Sequence, residues 1–422
     1  MVISALFRHP LIDTVRTMRG NVRGIVFTEP LWGIPYNLYA PFVSVYMLAL
    51  GLSDSQIGLL ASIGLILQVF WTFFSGALTD KFGRKRTTYI VDLISWSIPC
   101  LIWAVAQDFN YFLAAAIVNS MWRITHNSWY CLLVEGTEPA KLVDVWSLIY
   151  ISGLVAAFFT PITSLLIASF SLVPTMRGLY LFAFVMMTAK FVIMNAMVEE
   201  TEQGVVRMEE TRNQSIWTIV SESKFVLRQV LQAPETLITG GLMVIVGIGN
   251  MINVTFWSIM VTEKLQIGTE YLPIFYFAKS MTMLLFYFLV MPRLRNTDAR
   301  KPMVFGFTGM ILSWLILINI APGSYGLIFL AVILEGASYP AISTLLDKLV
   351  ALTVEAKERA RIMAILNLVV LTCTSPFGWI GGQMSEVNRS LPFMLTISLY
   401  VAGAALAFFA SRRRTVHTQP TG

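Results

Sequence analysis

The sequence contains few charged residues. They make up only 13% of the 422 residues, whereas hydrophobic residues make up 56%. Soluble domains carry roughly a quarter charged residues, so this chain has too much apolar surface for a fold surrounded by water. The shortage of charge therefore excludes a soluble globular protein and indicates that lipid is the solvent.

Cysteine and histidine are also scarce. The three cysteines, Cys100, Cys131 and Cys373, all lie in apolar segments, and an odd number argues against a disulfide framework. No group of Cys and His has the spacing of metal ligands, and no nucleotide-binding motif occurs. We therefore expect free thiols, no metal, no cofactor and no enzymatic activity.

The net charge is +6, which in a soluble protein would suggest nucleic acid as a partner. Here the topology of the chain explains the basic residues, so we expect no nucleic-acid partner. Met1 to Gly20 has no long apolar core followed by a small-residue cleavage site, and we expect no cleaved signal peptide.

The apolar residues fall into long runs, and a spanning helix needs about 20 such residues. The runs predict an all-α polytopic membrane protein with twelve transmembrane helices. The predicted spans are 25–50, 55–79, 87–107, 111–134, 143–168, 179–198, 237–262, 270–291, 302–320, 325–346, 360–384 and 391–410.

Lysine and arginine predict the orientation. Most of the 30 basic residues lie on one side of the predicted spans, and the turns on the other side hold only Arg177, Lys264 and Arg389. By the positive-inside rule, the protein lies in the cytoplasmic membrane with both termini in the cytoplasm. The predicted domains are an amphipathic segment at 1–24, a six-helix bundle at 25–198, a linker with an interfacial helix at 199–236, a second bundle at 237–411 and a tail at 412–422.

Two segments beside the bundles have the pattern of interfacial helices. Arg16, Arg19 and Arg23 recur on one helical stripe opposite apolar residues, and 215–232 repeats this pattern. Basic amphipathic helices lie at the level of the lipid headgroups. The polar stretch 199–212 between them is interpreted as a mobile linker.

The two halves resemble each other weakly. Matching positions carry an asparagine in the first span of each half, a charge in the fourth span, and an acid where that span ends. These pairs are Asn37 and Asn253, Arg123 and Glu335, and Glu135 and Asp347. Two similar six-helix halves around a central cavity are typical of secondary transporters.

The turn at 76–86 carries the most specific motif. It reads Gly-Ala-Leu-Thr-Asp-Lys-Phe-Gly-Arg-Lys-Arg and lies between two long apolar segments. This signature turn resembles the loop between helices two and three of the major facilitator superfamily, G-x-L-x-D-[RK]-x-G-[RK]-[RK], at every constrained position. The resemblance covers the whole chain and implies the twelve-helix fold of that family. It does not identify a substrate.

The resemblance implies a cytoplasmic gate. Asp80 and Arg84 would hold the gate closed in the outward-open state, with Glu135 as an acidic partner. Gly76 shares a helix face with Asp80 and would let another helix approach closely, and Gly83 would permit the tight turn. The full predicted gate set is Gly76, Asp80, Gly83, Arg84, Lys85, Arg86, Glu135 and Asp347.

Ionisable groups within spans cost roughly 2.5–3.5 kcal/mol each on insertion scales, so they normally face a cavity or a partner. The family's cavity is lined by helices one, four, seven and ten. The predicted substrate and coupling cavity is Glu29, Tyr36, Asn37, Arg123, His126, Asn127, Asn253, Trp257, Lys279, Glu335 and Tyr339. Arg123 and Glu335 have a second interpretation, as a structural ion pair, and Lys190 is expected to reach the lipid headgroups.

These features predict a monomeric secondary transporter that moves a small organic solute through the bilayer by alternating access, with a proton as the coupling ion through Glu29 or Glu335. An efflux carrier for drugs, lipids or other amphiphiles is the first alternative. However, 153–161 lacks the Gly-Pro motif of drug antiporters. A non-transporting sensor or scaffold and a lipid-modifying enzyme are alternatives of other classes, since a fold does not fix a function.

Overall fold

The structure is a computed structural model that describes residues 10–138, 141–217, 234–294, 300–353 and 359–417. Within these ranges the regular secondary structure is entirely helical. Long apolar segments favour helices because a helix satisfies its own backbone hydrogen bonds where water is absent. The predicted all-α class is confirmed.

The described residues of the first half of the chain form twelve α-helices. They are α1 (Pro10–Thr17), α2 (Gly20–Tyr39), α3 (Val43–Ala49), α4 (Asp54–Phe82), α5 (Arg84–Asp92), α6 (Ile98–Ala104), α7 (Phe109–Asn119), α8 (Trp122–Glu135), α9 (Leu142–Ala157), α10 (Thr160–Phe170), α11 (Leu172–Met197) and α12 (Glu202–Thr211). A π-helical turn, Leu93–Ser97, joins α5 to α6.

The second half contains eight more helices in its described residues. They are α13 (Pro234–Ile259), α14 (Leu272–Leu289), α15 (Met291–Leu294), α16 (Arg300–Asn319), α17 (Tyr325–Thr353), α18 (Arg359–Thr374), α19 (Pro376–Val387) and α20 (Leu391–His417). A second π-helical turn, Met260–Lys264, follows α13.

Nine helical segments of the described residues are long and apolar enough to cross a membrane. The other three predicted spans are also helical, but each is interrupted. The first breaks at Ala40–Phe42, the fourth between α7 and α8, and the eleventh between α18 and α19. Two of these breaks contain or precede a proline, Pro41 and Pro376, which removes a backbone donor.

The chain forms two compact units. Unit 1 comprises Met1–Ala40 and Ile66–Lys224, and unit 2 comprises Pro41–Leu65 and Phe225–Gly422. The predicted domains are continuous stretches of the chain, whereas these units are defined by contacts between residues. The segment 41–65 therefore belongs to the same unit as the second half of the chain. The predicted boundaries stay a prediction.

In unit 1, the amphipathic helix α1 packs against the bundle. Thr14 donates a hydrogen bond to Asp144 over 3.0 Å, and Met18 and Val22 are buried in a cluster that includes Leu132 and Met194. The arginines on the opposite stripe are exposed, as predicted. The other predicted interfacial segment, 215–232, lies almost entirely outside the described residues.

In unit 2, glycines bring α4 and α19 together. A Cβ atom on Gly58 would lie 2.2 Å from the carbonyl oxygen of Gly378 and 2.9 Å from the Cα of Gly382. Only residues without a side chain allow two helix backbones to approach this closely. These glycines therefore fix the N-terminal part of α4 against α19.

Candidate functional site

The signature turn in unit 1 forms a buried ionic cluster. Arg84 is 4% exposed, and its guanidinium donates to Asp80 over 3.2 Å and to both carboxylate oxygens of Glu135 over 3.3 Å each. Two parallel hydrogen bonds between an arginine and a carboxylate fix the orientation of the guanidinium and also neutralise its charge. Arg84 thus contacts both Asp80 and Glu135, while the gate that these residues would form stays a prediction.

The segment after α11 completes this cluster. Arg207 on α12 donates two hydrogen bonds to Asp80, over 2.8 and 3.2 Å, and this carboxylate raises the pKa of the Arg207 guanidinium. Thr201 donates to Glu135. Glu200 accepts from the backbone N–H groups of Arg84 and Lys85, over 2.9 and 3.0 Å. The signature turn is therefore held by the linker as well as by its own bundle.

This arrangement corrects the prediction of a mobile linker at 199–212. The segment folds into α12, and the side chain of Thr201 caps that helix by accepting from the N–H of Gly204 over 3.0 Å. A threonine at the N-cap followed by Glu202 in the first turn is a recognisable helix start. Composition concealed this signal because most residues of the segment are polar or charged.

The two glycines of the signature turn differ in importance. Gly83 has a φ of +85°, and a Cβ atom there would lie 2.4 Å from a carboxylate oxygen of Glu200. The tight turn predicted for Gly83 is confirmed, and the close contact supplies a second reason for glycine. A Cβ on Gly76 would meet no described atom within 4 Å. The close approach expected at Gly76 therefore stays a prediction, since it has no partner among the residues that the structure describes.

Glu29 and Lys190 form a buried ion pair in unit 1. Lys190 Nζ lies 3.2 Å from Glu29 Oε2, and the two side chains are 6% and 14% exposed. The expectation that Lys190 reaches the lipid headgroups is wrong, because a nearby carboxylate offers its charge a partner inside the protein. Asp92 is 5% exposed and interacts electrostatically with both Glu29 and Lys190.

A second buried ion pair lies in unit 2. Glu335 on α17 is 2% exposed, and its Oε1 accepts from Lys279 Nζ on α14 and from Asn253 Nδ2 on α13, the latter over 2.5 Å. Three predicted cavity residues thus meet at one carboxylate oxygen. The partner of Glu335 is Lys279, which sequence reasoning left without an assigned partner.

A cavity of about 190 Å³ opens beside this ion pair. Its walls include Asn253, Lys279 and the predicted Tyr339, together with Trp314 and Tyr400. It therefore offers a cation and an amide next to aromatic faces. Small-molecule sites combine apolar and aromatic walls with a few placed polar groups, as this cavity does.

The predicted residues on α2 pack within unit 1. Tyr36 stacks on Trp32 with 4.7 Å between ring centroids and lies edge-on to Trp96 at 6.1 Å. Asn37 donates to the carbonyl of Gly33 in its own helix over 2.8 Å. Tyr36 therefore belongs to an aromatic cluster, and Asn37 has its amide satisfied locally.

The predicted residues on α8 do not act as one polar face. The Arg123 guanidinium lies 5.3 Å from the ring centre of Trp122, and His126 lies edge-on to the same ring at 5.9 Å. Asn127 instead donates to Thr79 on α4 over 3.3 Å. The interpretation of Arg123 and Glu335 as a structural ion pair stays a prediction.

Trp257 and Asp347 are the remaining cavity and gate residues. Trp257 is 5% exposed and lies edge-on to Tyr276 at 5.1 Å, so it packs inside unit 2 and does not line the 190 Å³ cavity. Asp347 lies within α17, and its side chain is outside the described part of the structure. Arg86, beside the ionic cluster, is exposed.

Sequence reasoning missed a polar cavity of about 690 Å³ in unit 2. Asp54, at the start of α4, accepts from Ser385 over 2.6 Å and from Arg389 over 3.4 Å, and Glu263 lies 3.7 Å from Arg389. Hydrogen bonds from serines of the same region lower the pKa of the neighbouring Glu386. No local motif marks this site, because its residues come from three distant parts of the chain.

The sequence profile of the Major Facilitator Superfamily matches residues 32–295, which is more than half of the chain. The chain belongs to this superfamily. Its members are membrane transporters, and the apolar helices of this chain make it a multi-pass membrane protein of that family.

Two bacterial relatives within the superfamily match parts of the sequence. The quinolone resistance protein NorA of Staphylococcus aureus is 32% identical over 84 residues, which are 20% of this chain and 21% of NorA. The uncharacterised transporter YqjV of Bacillus subtilis is 26% identical over 131 residues, 31% of this chain and 32% of YqjV. The match therefore spans about a fifth to a third of each relative's length.

Solved structures of other superfamily members share the fold. The nucleoside transporter NupG has a TM-score of 0.69 and 16% identity, covering 92% of this chain and 97% of its own. A POT family transporter solved with 5-aminolevulinic acid has a TM-score of 0.72 and 10% identity, covering 96% and 100%. A bacterial homologue of the human lysosomal transporter Spinster has a TM-score of 0.70 and 13% identity, covering 93% and 96%. At these identities the likeness shows the fold alone.

Proposed function

We propose that this protein is a monomeric secondary active transporter that moves a small organic solute across the cytoplasmic membrane by alternating access, coupled to protons. Both termini lie in the cytoplasm, as the distribution of Lys and Arg indicates. The observation that carries the proposal is the buried group of Asn253, Lys279 and Glu335 beside the 190 Å³ cavity of unit 2.

The chemistry of this cavity favours a solute with a polar or ionised group on an apolar or aromatic body. Lys279 and Glu335 neutralise each other when no solute is bound. A solute with groups of both signs would exchange partners with this pair without leaving a charge uncompensated. Tyr339, Trp314 and Tyr400 supply rings against which the body of the solute packs.

Efflux of drugs or other amphiphiles is the second candidate. The observation that favours it is the 32% identity with the quinolone resistance protein NorA over 84 residues. The two candidates differ in direction and in substrate range. They share the same cavity and the same cycle.

A transport assay in proteoliposomes tests the proposal. A thermal-shift screen of metabolites and drugs, including a nucleoside, 5-aminolevulinic acid and a fluoroquinolone, selects solutes that stabilise the purified protein. Labelled forms of these solutes are then measured for counterflow. Counterflow identifies a carrier. If no stabilising solute shows counterflow, the proposal is overturned: activity on lipid would then favour an enzyme, and the absence of such activity would favour a sensor.

A matched pair of variants ties transport to the cavity. Asn253→Ala removes an amide that lines the cavity and binds Glu335, whereas Asn319→Ala removes an exposed amide that binds the carbonyl of Leu315 in its own helix. We expect this amide to bind an ionised group of the solute. Such a hydrogen bond contributes about 1.5–3 kcal/mol, so the first variant should weaken solute binding about tenfold or more. The second variant should leave binding unchanged.

A further inference from the structure

Unit 1 contains a cation within a predicted span that has no acidic partner among the described residues. Glu29 lies beside Lys190, and Glu335 lies beside Lys279, so these charges balance in pairs. Arg123 forms neither an ion pair nor a side-chain hydrogen bond within the part of the chain that the structure describes, and its guanidinium lies over an aromatic ring of its own helix. An uncompensated charge away from water is costly, so Arg123 needs either water or an anion.

Arg123 lies too far along its helix to reach the lipid headgroups. It is the second residue of α8 and Glu135 is the last, so about 18 Å of helix separates Arg123 from the ionic cluster of the signature turn, where the span ends. The hydrocarbon layer of a bilayer is about 30 Å thick, so Arg123 lies near its middle. At this depth a lipid phosphate does not supply the missing negative charge.

Four half-buried aromatic rings lie beside this cation. Trp32 and Tyr36 of α2 stack with 4.7 Å between their centroids, and Trp96 lies edge-on to both rings, at 5.1 and 6.1 Å. Trp122 follows at 6.4 Å from Trp96, and the Arg123 guanidinium lies 5.3 Å from the centre of the Trp122 ring. The rings therefore form an aromatic row that runs from α2 to α8 and ends at a positive charge.

Local structure places these rings together. Trp32 and Tyr36 are four residues apart and so share one face of α2. Trp96 lies in the π-helical turn between α5 and α6, and such turns often occur at functional sites. His126 is exposed and lies edge-on to Trp122 at 5.9 Å, so it offers a further nitrogen beside the cation.

We propose that Arg123 and the aromatic row form a binding site for an organic anion with an aromatic body. The guanidinium binds the anionic group through paired hydrogen bonds, and the ring of the solute packs against Trp122 and Trp96. The bound anion then compensates the charge of Arg123. This inference rests on the proposed transport function and adds to it the chemical class of the solute. A solute with groups of both signs, which suits the pair of Lys279 and Glu335, belongs to this class when its anionic group lies beside an aromatic ring.

Equilibrium dialysis of the purified protein against labelled 1-naphthoate tests the site without transport. We expect Arg123→Gln to weaken binding about tenfold or more, because hydrogen bonds to a charged group are lost. Arg212→Gln, at an exposed arginine outside the aromatic row, should leave binding unchanged. Neutral 1-naphthamide and non-aromatic acetate should each compete about tenfold more weakly than unlabelled 1-naphthoate.

Three results of this experiment would overturn the proposal. The first is a wild type that does not bind 1-naphthoate, and the second is equal binding by the wild type and Arg123→Gln. The third is competition by the amide or by acetate as strong as that by 1-naphthoate, since the site then would not select a negative charge beside an aromatic ring.

Thermal unfolding without any solute separates a binding role of Arg123 from a structural one. Arg123→Gln should keep a melting temperature close to that of the wild type, because it removes a charge that has no partner. Addition of 1-naphthoate should raise the melting temperature of the wild type but not that of this variant. A loss of stability in Arg123→Gln as large as that in Lys279→Ala would identify a structural ion pair and overturn the proposal.

Transport measurements separate this inference from the proposed function. In proteoliposomes, 1-naphthoate should show counterflow that Arg123→Gln reduces about tenfold or more and that Arg212→Gln leaves unchanged. Counterflow that Arg123→Gln also leaves unchanged would refute the anion site and leave the transporter intact. Binding of 1-naphthoate that depends on Arg123, in a protein that shows no counterflow of this or any other stabilising solute, would refute the proposed function and leave the anion site intact.

Discussion

Removal of the Glu200 carboxylate should release the linker helix α12 from the signature turn. Glu200 accepts from the N–H groups of Arg84 and Lys85, the first two residues of α5. These amides have no acceptor within their own helix, so Glu200 satisfies two groups that would otherwise depend on water. Glu200→Ala therefore removes an N-terminal cap that comes from a distant part of the chain.

The expected magnitude follows from these two hydrogen bonds. Loss of a helix N-cap costs about 0.5–2 kcal/mol, and a carboxylate at a helix N-terminus adds about 0.3–1 kcal/mol through its charge. We expect the docked state of α12 to lose about 1.5 kcal/mol. That loss raises the undocked population about tenfold. Arg207 still binds Asp80, so the helix should open more often without detaching permanently.

Hydrogen exchange measures this change directly. Amides of α12 should exchange about tenfold faster in Glu200→Ala, while those of α11 should not change, since local opening sets the rate. Glu199→Ala is the matched control, because Glu199 is the neighbouring exposed acid and its hydrogen bonds with Asn21 run through its backbone. Equal protection of α12 in the wild type and in Glu200→Ala would refute the docking role of this carboxylate.

Three further substitutions give separate tests by thermal unfolding in detergent. Gly83→Ala should destabilise the protein by about 1–3 kcal/mol, because φ is +85° and the new Cβ collides with the Glu200 carboxylate. Gly76→Ala is the control and should leave the stability unchanged. Equal effects of the two substitutions would contradict this reasoning. Lys279→Ala should lower the free energy of unfolding by about 3–5 kcal/mol, because it leaves Glu335 buried without a counter-ion. Adding Glu335→Gln should restore much of that stability. A double variant no more stable than Lys279→Ala would argue against the ion pair. Gly58→Ala should separate α4 from α19 at a cost of about 1–3 kcal/mol, and an unchanged melting temperature would show that the contact is not tight.

The signature turn shows how far a local motif can be read. The tight turn at Gly83 and the contact of Arg84 with Asp80 follow from the motif, because these features lie within the same turn. The partners that come from α12 were not predicted. Glu200 and Arg207 lie more than 100 residues beyond the turn, and no local pattern connects them to it.

The buried charges show the same division. Their positions within apolar helices are visible in the sequence, and the cost of burial predicts that each needs a partner. From the sequence, Lys279 has no assigned partner and Lys190 is predicted to reach the lipid headgroups, because a sequence does not reveal which helix faces pack together.

The sequence by itself determined the solvent, the helical class and the family of this protein. Apolar length, the positions of basic residues and the signature turn are local properties, and each has a physical meaning within about 20 residues. Only the tertiary structure decided the choice of partners: Glu29 with Lys190, and Glu335 with Lys279. Ion pairs depend on distances of a few ångströms between residues far apart in the chain, and packing of the helices fixes those distances.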